Sequence, residues 1–157
     1  MGLNQYSELL NYLYQILSSD VFINTVTQGD PDQIDLDKSN VFPLAHVIVD
    51  DGSFTNGSTI IFNVQIEALA LRDINKQELV SDKFWLQDNE VDNHNETLAV
   101  LNRAWLTLLK DFEKHNITAS ENPSITKVSF DGKNLNDGWE INFDVEMPNT
   151  TINLCKQ

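Results

Sequence analysis

Side chains capable of acid–base or metal chemistry are few in this sequence, and they do not converge. The histidines are His46, His94 and His115, and the only cysteine is Cys155. His46 falls within an apolar run, which indicates a structural histidine rather than a general base. His94 and His115 fall at opposite ends of one predicted helix, too far apart to bind one metal ion. Cys155 stands close to the carboxyl end of the sequence, where a nucleophile is difficult to order.

Four aspartates within one irregular stretch, 29–40, raise a calcium hypothesis: Asp30, Asp32, Asp35 and Asp37. Their spacing departs from the EF-hand loop, because no glycine stands at the sixth position and no glutamate at the twelfth. Aspartates also hydrogen-bond to their own backbone in turns. The sequence contains no phosphate-binding loop, dinucleotide fingerprint or nucleophile elbow. We therefore predict no catalytic residues, no metal, no cofactor and no enzymatic activity.

Hydrophobic periodicity predicts the elements around these residues. A first helix is expected from about Leu3 to Ser18. A second is expected from about Asn93 to Lys114, with a buried stripe that includes Leu109. Strands are predicted at 21–27, 44–49, 58–71, 125–130 and 139–147, with a turn at 131–138 before the last. The order is α-β-β-β-α-β-β, and hairpin connections predict an α+β fold with an antiparallel sheet of about five strands.

Both predicted helices should cover one face of the sheet, leaving the other face polar and acidic. Gln65 and Glu67 alternate with apolar residues along the strand 58–71, and Asp144 and Glu146 do so along the last strand. Turn signals at 50–52 and 56–57 predict a long hairpin. The sequence shows no repeat and no linker, so we expect one domain over residues 1–157.

The formal net charge of −14 excludes several classes of partner. A surface of this charge repels nucleic-acid phosphates and anionic membranes at long range, which argues against a sequence-reading nucleic-acid binder. No apolar run approaches the ~20 residues of a membrane span, and the first residues lack a secretory signal. A single cysteine fits a reducing compartment.

Apolar residues in polar surroundings are the predicted subunit contacts. Phe84, Trp85 and Leu86 form a cluster within a charged connecting segment, where they are either a flap folded onto the core or a docking patch. The first helix and the tip of the long hairpin, which carries Phe54, are the other expected contributors.

Several stretches together carry a family resemblance. They are Phe42-Pro43-Leu44-Ala45-His46-Val47, the strand 60–71, Asp88-Asn89-Glu90 with Asn95-Glu96-Thr97-Leu98, and Gly138-Trp139-Glu140-Ile141-Asn142-Phe143. In these stretches and in its order of elements, the sequence resembles small tail-terminator, tail-completion and neck-ring proteins of tailed bacteriophages. The likeness is strongest to ring proteins of crAss-like phages and related phages of Bacteroidota.

The resemblance implies a structural virion protein, assembled in the host cytoplasm. It implies a ring of six or twelve identical subunits, stacked between portal and tail next to other connector or tail proteins, with no catalytic residues. DNA would pass through the ring without specific binding. The polar sheet residues would then line the lumen, namely Gln65, Glu67, Asp144 and Glu146. The alternative for these residues is that they solvate an outer face.

Two other classes of function stay open at this point. A monomeric acidic binding module, such as an immunity or inhibitor protein, would mask a basic surface on its partner and would share the low isoelectric point. A hydrolytic or metal-dependent enzyme would need a site built from His46 and the 30–37 stretch.

Overall fold

The computed structural model describes residues 5–30, 41–73, 89–115, 117–131 and 136–149. These residues form two α-helices and six strands. The helices are α1 (Gln5–Ser18) and α2 (Glu90–Phe112), and α2 continues into one 3₁₀ turn, Glu113–His115. The strands are β1 (Thr25–Gln28), β2 (Leu44–Thr55), β3 (Thr59–Leu71), β4 (Thr118–Ala119), β5 (Ser124–Asp131) and β6 (Asn136–Pro148). The predicted α+β class and element order are confirmed, with the two-residue β4 as an addition.

The six strands form one sheet in the order β1-β2-β3-β6-β4, and β5 pairs with β6 on the same side as β4. The long central strands β3 and β6 are antiparallel over their whole length. The exception to the antiparallel pattern is β1, which pairs parallel to β2. It also begins later than predicted, because Val21 is 99% exposed and the Asp20 carboxylate accepts a hydrogen bond from the Phe22 N–H in a turn.

Both helices pack on one face of the sheet, as predicted. The hydrophobic core draws on each of them and on the inward side chains of three strands: Leu9, Leu13, Leu17, Val100, Leu101, Ala104, Leu108, Phe112, Ala45, Val47, Val64, Ile66, Ala68, Ile141, Phe143, Val145 and Met147. Trp105 lies edge-on against Phe143, with ring centroids 5.0 Å apart. The predicted buried stripe of α2 was wrong at Leu109, which is 40% exposed, because the helix turns Ala104 and Leu108 toward the sheet instead.

Polar contacts set the two helices antiparallel to each other. The Tyr12 hydroxyl donates a 2.8 Å hydrogen bond to Asp111 near the end of α2. Arg103 donates two hydrogen bonds, of 2.7 and 2.9 Å, to Asp20 just after α1. Burial alone would raise the pKa of Asp20, but the hydrogen bonds from Arg103 and the Phe22 N–H outweigh it and lower that pKa.

The long hairpin joins β2 to β3 through Asn56, Gly57 and Ser58, of which Asn56 and Gly57 shape the turn. Both residues have positive φ, 49° and 73°, which is the requirement of a type I′ turn. The register of β2 shifts once, at a bulge between Val49 and Asp51. From residue 50 to residue 58 every side chain of the hairpin is exposed. The hairpin therefore reaches beyond the part of the sheet that the helices cover.

Candidate functional site

The face of the sheet opposite the helices, called the open face below, collects the polar side chains of β3 and β6. The register sets four pairs side by side: Ile61 with Glu146, Asn63 with Asp144, Gln65 with Asn142 and Glu67 with Glu140. Paired residues of neighbouring strands share a face, and every second residue of a strand returns to it. The fold thus brings Gln65, Glu67, Asp144 and Glu146 onto one surface.

Hydrogen bonds between side chains hold part of this surface in place. Asn63 Nδ2 donates to Asn142 Oδ1 at 2.8 Å and to Asp144 Oδ1 at 3.0 Å. The Thr59 hydroxyl donates to Glu146 Oε1 at 2.7 Å. The backbone of Asp144 is anchored as well, because its N–H donates to the Ser120 hydroxyl at 2.6 Å. These carboxylates are fixed at the surface rather than on freely moving side chains.

The charge of the open face is of one sign. Its carboxylates come from three strands: Asp51, Glu67, Glu140, Asp144 and Glu146. Among the described strand residues that point to this face there is no lysine or arginine. Asp144 is exposed, and Gln65, Glu67 and Glu146 are half-buried. A concave or enclosed surface built from this face would carry a negative potential.

One end of the open face is apolar and buried. Leu44 and Leu69 form a second hydrophobic cluster there, with Phe42 and Val128 packed against it. The polar run of β3 on this face therefore extends from Asn63 to Glu67, with the apolar residues Ile61 and Leu69 on either side of it.

His46 lies at this buried end of the face, and its solvent exposure is zero. Its Nδ1 is 2.7 Å from the Thr27 hydroxyl, and its Nε2 is 3.0 Å from the Gly29 carbonyl oxygen. The carbonyl can only accept, so Nε2 carries the proton and Nδ1 accepts from Thr27. Burial lowers the pKa of His46, against opposing contributions from Gly29 and Asp30. Both ring nitrogens are thus engaged in joining β1 to β2, which leaves no lone pair for a general base.

A buried polar cluster, which the sequence did not reveal, lies where β3 ends and α2 begins. Arg72 donates to both oxygens of Asp137, at 2.8 and 2.7 Å, and its Nη2 is 3.1 Å from Glu90 Oε1. The Arg72 and Asp137 side chains are 5% and 0% exposed. Asn93 Nδ2 donates to the Leu71 carbonyl oxygen at 3.0 Å.

Glu90, His94 and Asp137 of this region bring three possible metal-ligating atoms within 4.8 Å of one another. The geometry favours a structural role, because the guanidinium of Arg72 already lies against both carboxylates. His94 Nε2 is 2.8 Å from the Val128 carbonyl oxygen, and the Trp139 indole N–H donates to the His94 carbonyl oxygen at 3.0 Å. This cluster joins the start of α2 to β5 and β6.

The remaining predicted residues divide between exposed and undescribed positions. Phe54 is 74% exposed near the tip of the hairpin, and its contact role stays a prediction. Phe84, Trp85 and Leu86 lie outside the described residues, as do Asp32, Asp35, Asp37 and Cys155. Of the four aspartates in the calcium hypothesis, only Asp30 is described.

A cleft of about 260 Å³ lies between the end of α1 and the middle of α2. Its walls include Leu17 and Val100, and the Asp20–Arg103 pair stands at its edge. Its volume is below the usual range of small-molecule sites, about 300–1,000 Å³. The open face is therefore the stronger candidate for the functional surface.

No protein-family model matches this chain, and no curated protein sequence matches it. Within the described residues, neither helix combines the length and apolar character needed to span a bilayer.

Proposed function

We propose that this chain is a structural subunit of a ring in the virion of a tailed bacteriophage, a tail terminator or neck ring. DNA passes through its channel without specific binding. The observation that carries the proposal is the open face, which bears carboxylates and amides on rigid strands while both helices occupy the opposite face. A lumen of that charge repels DNA phosphates at every position, so the duplex does not adhere during ejection.

The proposed lumen residues are Gln65, Glu67, Asp144 and Glu146. Two features support this assignment beyond their charge. Glu146 and Asp144 accept hydrogen bonds from Thr59 and Asn63, which hold their carboxylates in place on the face. His46 and the Arg72–Asp137 pair are both engaged in structural contacts, so within the described residues no convergent catalytic group competes for this face.

Assembly of six or twelve copies, with portal, connector or tail proteins as neighbours, must overcome the charge of each subunit. A formal net charge of −14 makes close packing unfavourable at low ionic strength. At physiological ionic strength the Debye length is only about 8 Å, so salt removes most of the repulsion between distant exposed charges.

The test of this proposal is the native mass of the purified protein across salt concentrations, by light scattering, with negative-stain images of any large species. Closed rings of six or twelve copies, favoured by salt, are the expected result. In phage particles, lysine at the four lumen positions should slow DNA ejection. Unchanged ejection kinetics would remove these residues from the lumen.

The acidic open face also supports a second candidate, a monomeric module that masks a basic partner surface. That function needs the same carboxylates but no self-assembly. A strict monomer at every salt concentration, together with capture of a basic partner that the four lysine substitutions abolish, would favour it over the ring.

A further inference from the structure

Two edges of the sheet lack a neighbouring strand in the described part of the chain. On one side, β1 covers β2 only as far as Val47, and the segment 50–55 of β2 extends beyond it with every residue exposed. On the other side, β5 pairs with β6 alone, and residues 124–127 are all exposed. An open strand edge presents unpaired backbone N–H and C=O groups, which readily pair with another chain.

The two edges run in opposite directions. β2 is antiparallel to β3, β3 to β6, and β6 to β5. In a ring whose subunits are related by rotation about an axis roughly along the strands, all copies keep the same strand directions. The β5 edge of one copy then meets the β2 edge of the next in the antiparallel sense, and the contact is heterologous and can close.

The side chains of the two edges are complementary. Phe54 on β2 and Ile125 on β5 are 74% and 51% exposed. Both point to the helix side of the sheet, since Phe54 pairs with Ile60 and Ile125 with Ile141. Lys127 is exposed on the same side of β5, whereas β2 carries the exposed Asp50 at its bulge, two positions from Gly52. Opposite charges across strands stabilise pairing, and like charges oppose it.

We propose that a second copy of this chain adds its β5 edge to the 50–55 edge of β2, with Phe54 directly opposite Ile125. This inference rests on the proposed ring. The register places Lys127 opposite Gly52, which has no side chain, and two positions from Asp50, within reach of a long side chain. A lysine on an edge strand discourages most pairings, and this pairing brings Lys127 near the carboxylate of Asp50.

The geometry of the register fits a closed ring. Within one copy, Phe54 is aligned through Ile60 with Met147 of β6, whereas Ile125 is aligned with Ile141 of β6. Placing Phe54 of one copy opposite Ile125 of the next therefore shifts adjacent copies along the strand direction by six residues, or about 20 Å. This shift accumulates across the four strands of one copy, which together are about 19 Å wide. The strands then tilt by about 45°, at the upper end of the 35–45° found in closed barrels.

The same arrangement fits a channel. The helices of all copies lie on one side of the extended sheet and the open faces on the other, so a ring that closes with its helices outward has the carboxylates in its lumen. Six copies contribute about 24 strands, more than the 16–18 strands that already leave an aqueous channel in porins.

The test is disulfide crosslinking between copies in a Cys155→Ser background. Phe54→Cys and Ile125→Cys variants are purified separately, mixed at the salt concentration that favours large species, and oxidised mildly. Facing positions in antiparallel strands lie within disulfide range. We expect a mixed dimer at least tenfold more abundant than from Phe54→Cys with Tyr14→Cys, since Tyr14 is 53% exposed but lies on α1 and on neither edge strand.

Register is tested by Phe54→Cys with Lys127→Cys, two residues along the same face of β5, which should crosslink at least fivefold less. Rings that form without the Phe54–Ile125 crosslink, or that crosslink equally with the Tyr14 control, would overturn the edge pairing and leave the ring function standing. A protein that forms neither rings nor the crosslink at any salt concentration would overturn both.

Discussion

Arg72 at the end of β3 binds both carboxylate oxygens of Asp137 near the start of β6, at 2.8 and 2.7 Å, across 65 positions of sequence. The pair is buried, and Glu90 at the start of α2 approaches the same guanidinium at 3.1 Å. One cation thus joins the two central strands to the longer helix. Removing one partner from a buried pair leaves an uncompensated charge, whereas exposed pairs contribute little.

We therefore predict that Arg72→Ala lowers the free energy of unfolding by about 3–5 kcal/mol, because Asp137 stays buried without its partner. Urea unfolding monitored by circular dichroism measures the change. The matched control is Arg103→Ala, which removes an equally bidentate pair with Asp20 in which the arginine side chain is 50% exposed. Because the Asp20 side chain is 9% exposed, that variant should lose about 1–2 kcal/mol, still less than Arg72→Ala. Equal losses in the two variants would contradict a stabilising role specific to the buried pair.

The close approach of β3 and β6 makes Gly138 intolerant of a side chain. A Cβ at this position would lie 1.9 Å from the Ala68 carbonyl oxygen. Gly138→Ala must push the two central strands apart, and we expect a loss of about 4 kcal/mol or more, at the upper end for single substitutions. Gly57→Ala is the control, since a Cβ there meets open space and the cost is limited to strain at a φ of 73°, about 1–2 kcal/mol. Thermal unfolding of both variants compares the two losses of stability. A larger loss in Gly57→Ala would show that the strands can shift freely at Gly138.

The pH dependence of stability should carry a contribution from His46. Burial lowers its pKa in the folded protein below the ordinary value of 6.5. Below that value the unfolded chain binds a proton that the folded protein resists, so the stability contributed at neutral pH is lost as the pH falls toward the folded pKa. We predict that the free energy of unfolding, from urea titrations at about pH 7 and about pH 5, is lower at the more acidic pH, by at most about 1.4 kcal/mol per pH unit from this residue.

The variant that isolates this contribution is His46→Gln, which cannot titrate and retains a donor and an acceptor for Gly29 and Thr27. This variant should be less stable at neutral pH, and its free energy of unfolding should change less between the two pH values. Asp20 does not interfere, because its pKa is lowered from 3.8 and its contribution is lost only in more acidic solution. An unchanged slope in His46→Gln would assign the pH dependence to other groups.

The alternation of apolar and polar residues makes much of the fold predictable from the sequence. A strand has a period of two, so the pattern of β3 by itself predicts that Gln65 and Glu67 share one face. The Asn56–Gly57 signal predicts the hairpin turn in the same local way. The element order and the common face of the two helices follow from these patterns.

Contacts between distant parts of the chain were not predictable in this way. Asp137 falls in what the sequence presents as a turn, but it belongs to β6 and is fully buried against Arg72. Nothing local distinguishes it from the exposed aspartates. The parallel pairing of β1 with β2, which gives His46 its hydrogen-bond partners, depends likewise on tertiary contacts and not on hairpin patterns.

The charge of the open face gives the most direct prediction about function. A variant with lysine at Gln65, Glu67, Asp144 and Glu146 replaces three carboxylates and one amide with ammonium groups. The purified protein should not retard duplex DNA, whereas the lysine variant should bind it with an affinity that falls steeply with salt, because each contacted phosphate releases counterions. Gel retardation at several salt concentrations measures both.

The matched control places the same change of charge on the helices, with lysine at the exposed positions Glu8, Glu96, Asn102 and Glu113. If the open face lines a channel, rings of the first variant should retain DNA inside them and protect it from nuclease digestion. Rings of the control variant should bind DNA only on the outside and leave it accessible. Equal protection by the two variants would place the open face outside the channel. A triple variant that keeps Glu67 guards against a folding defect from that substitution.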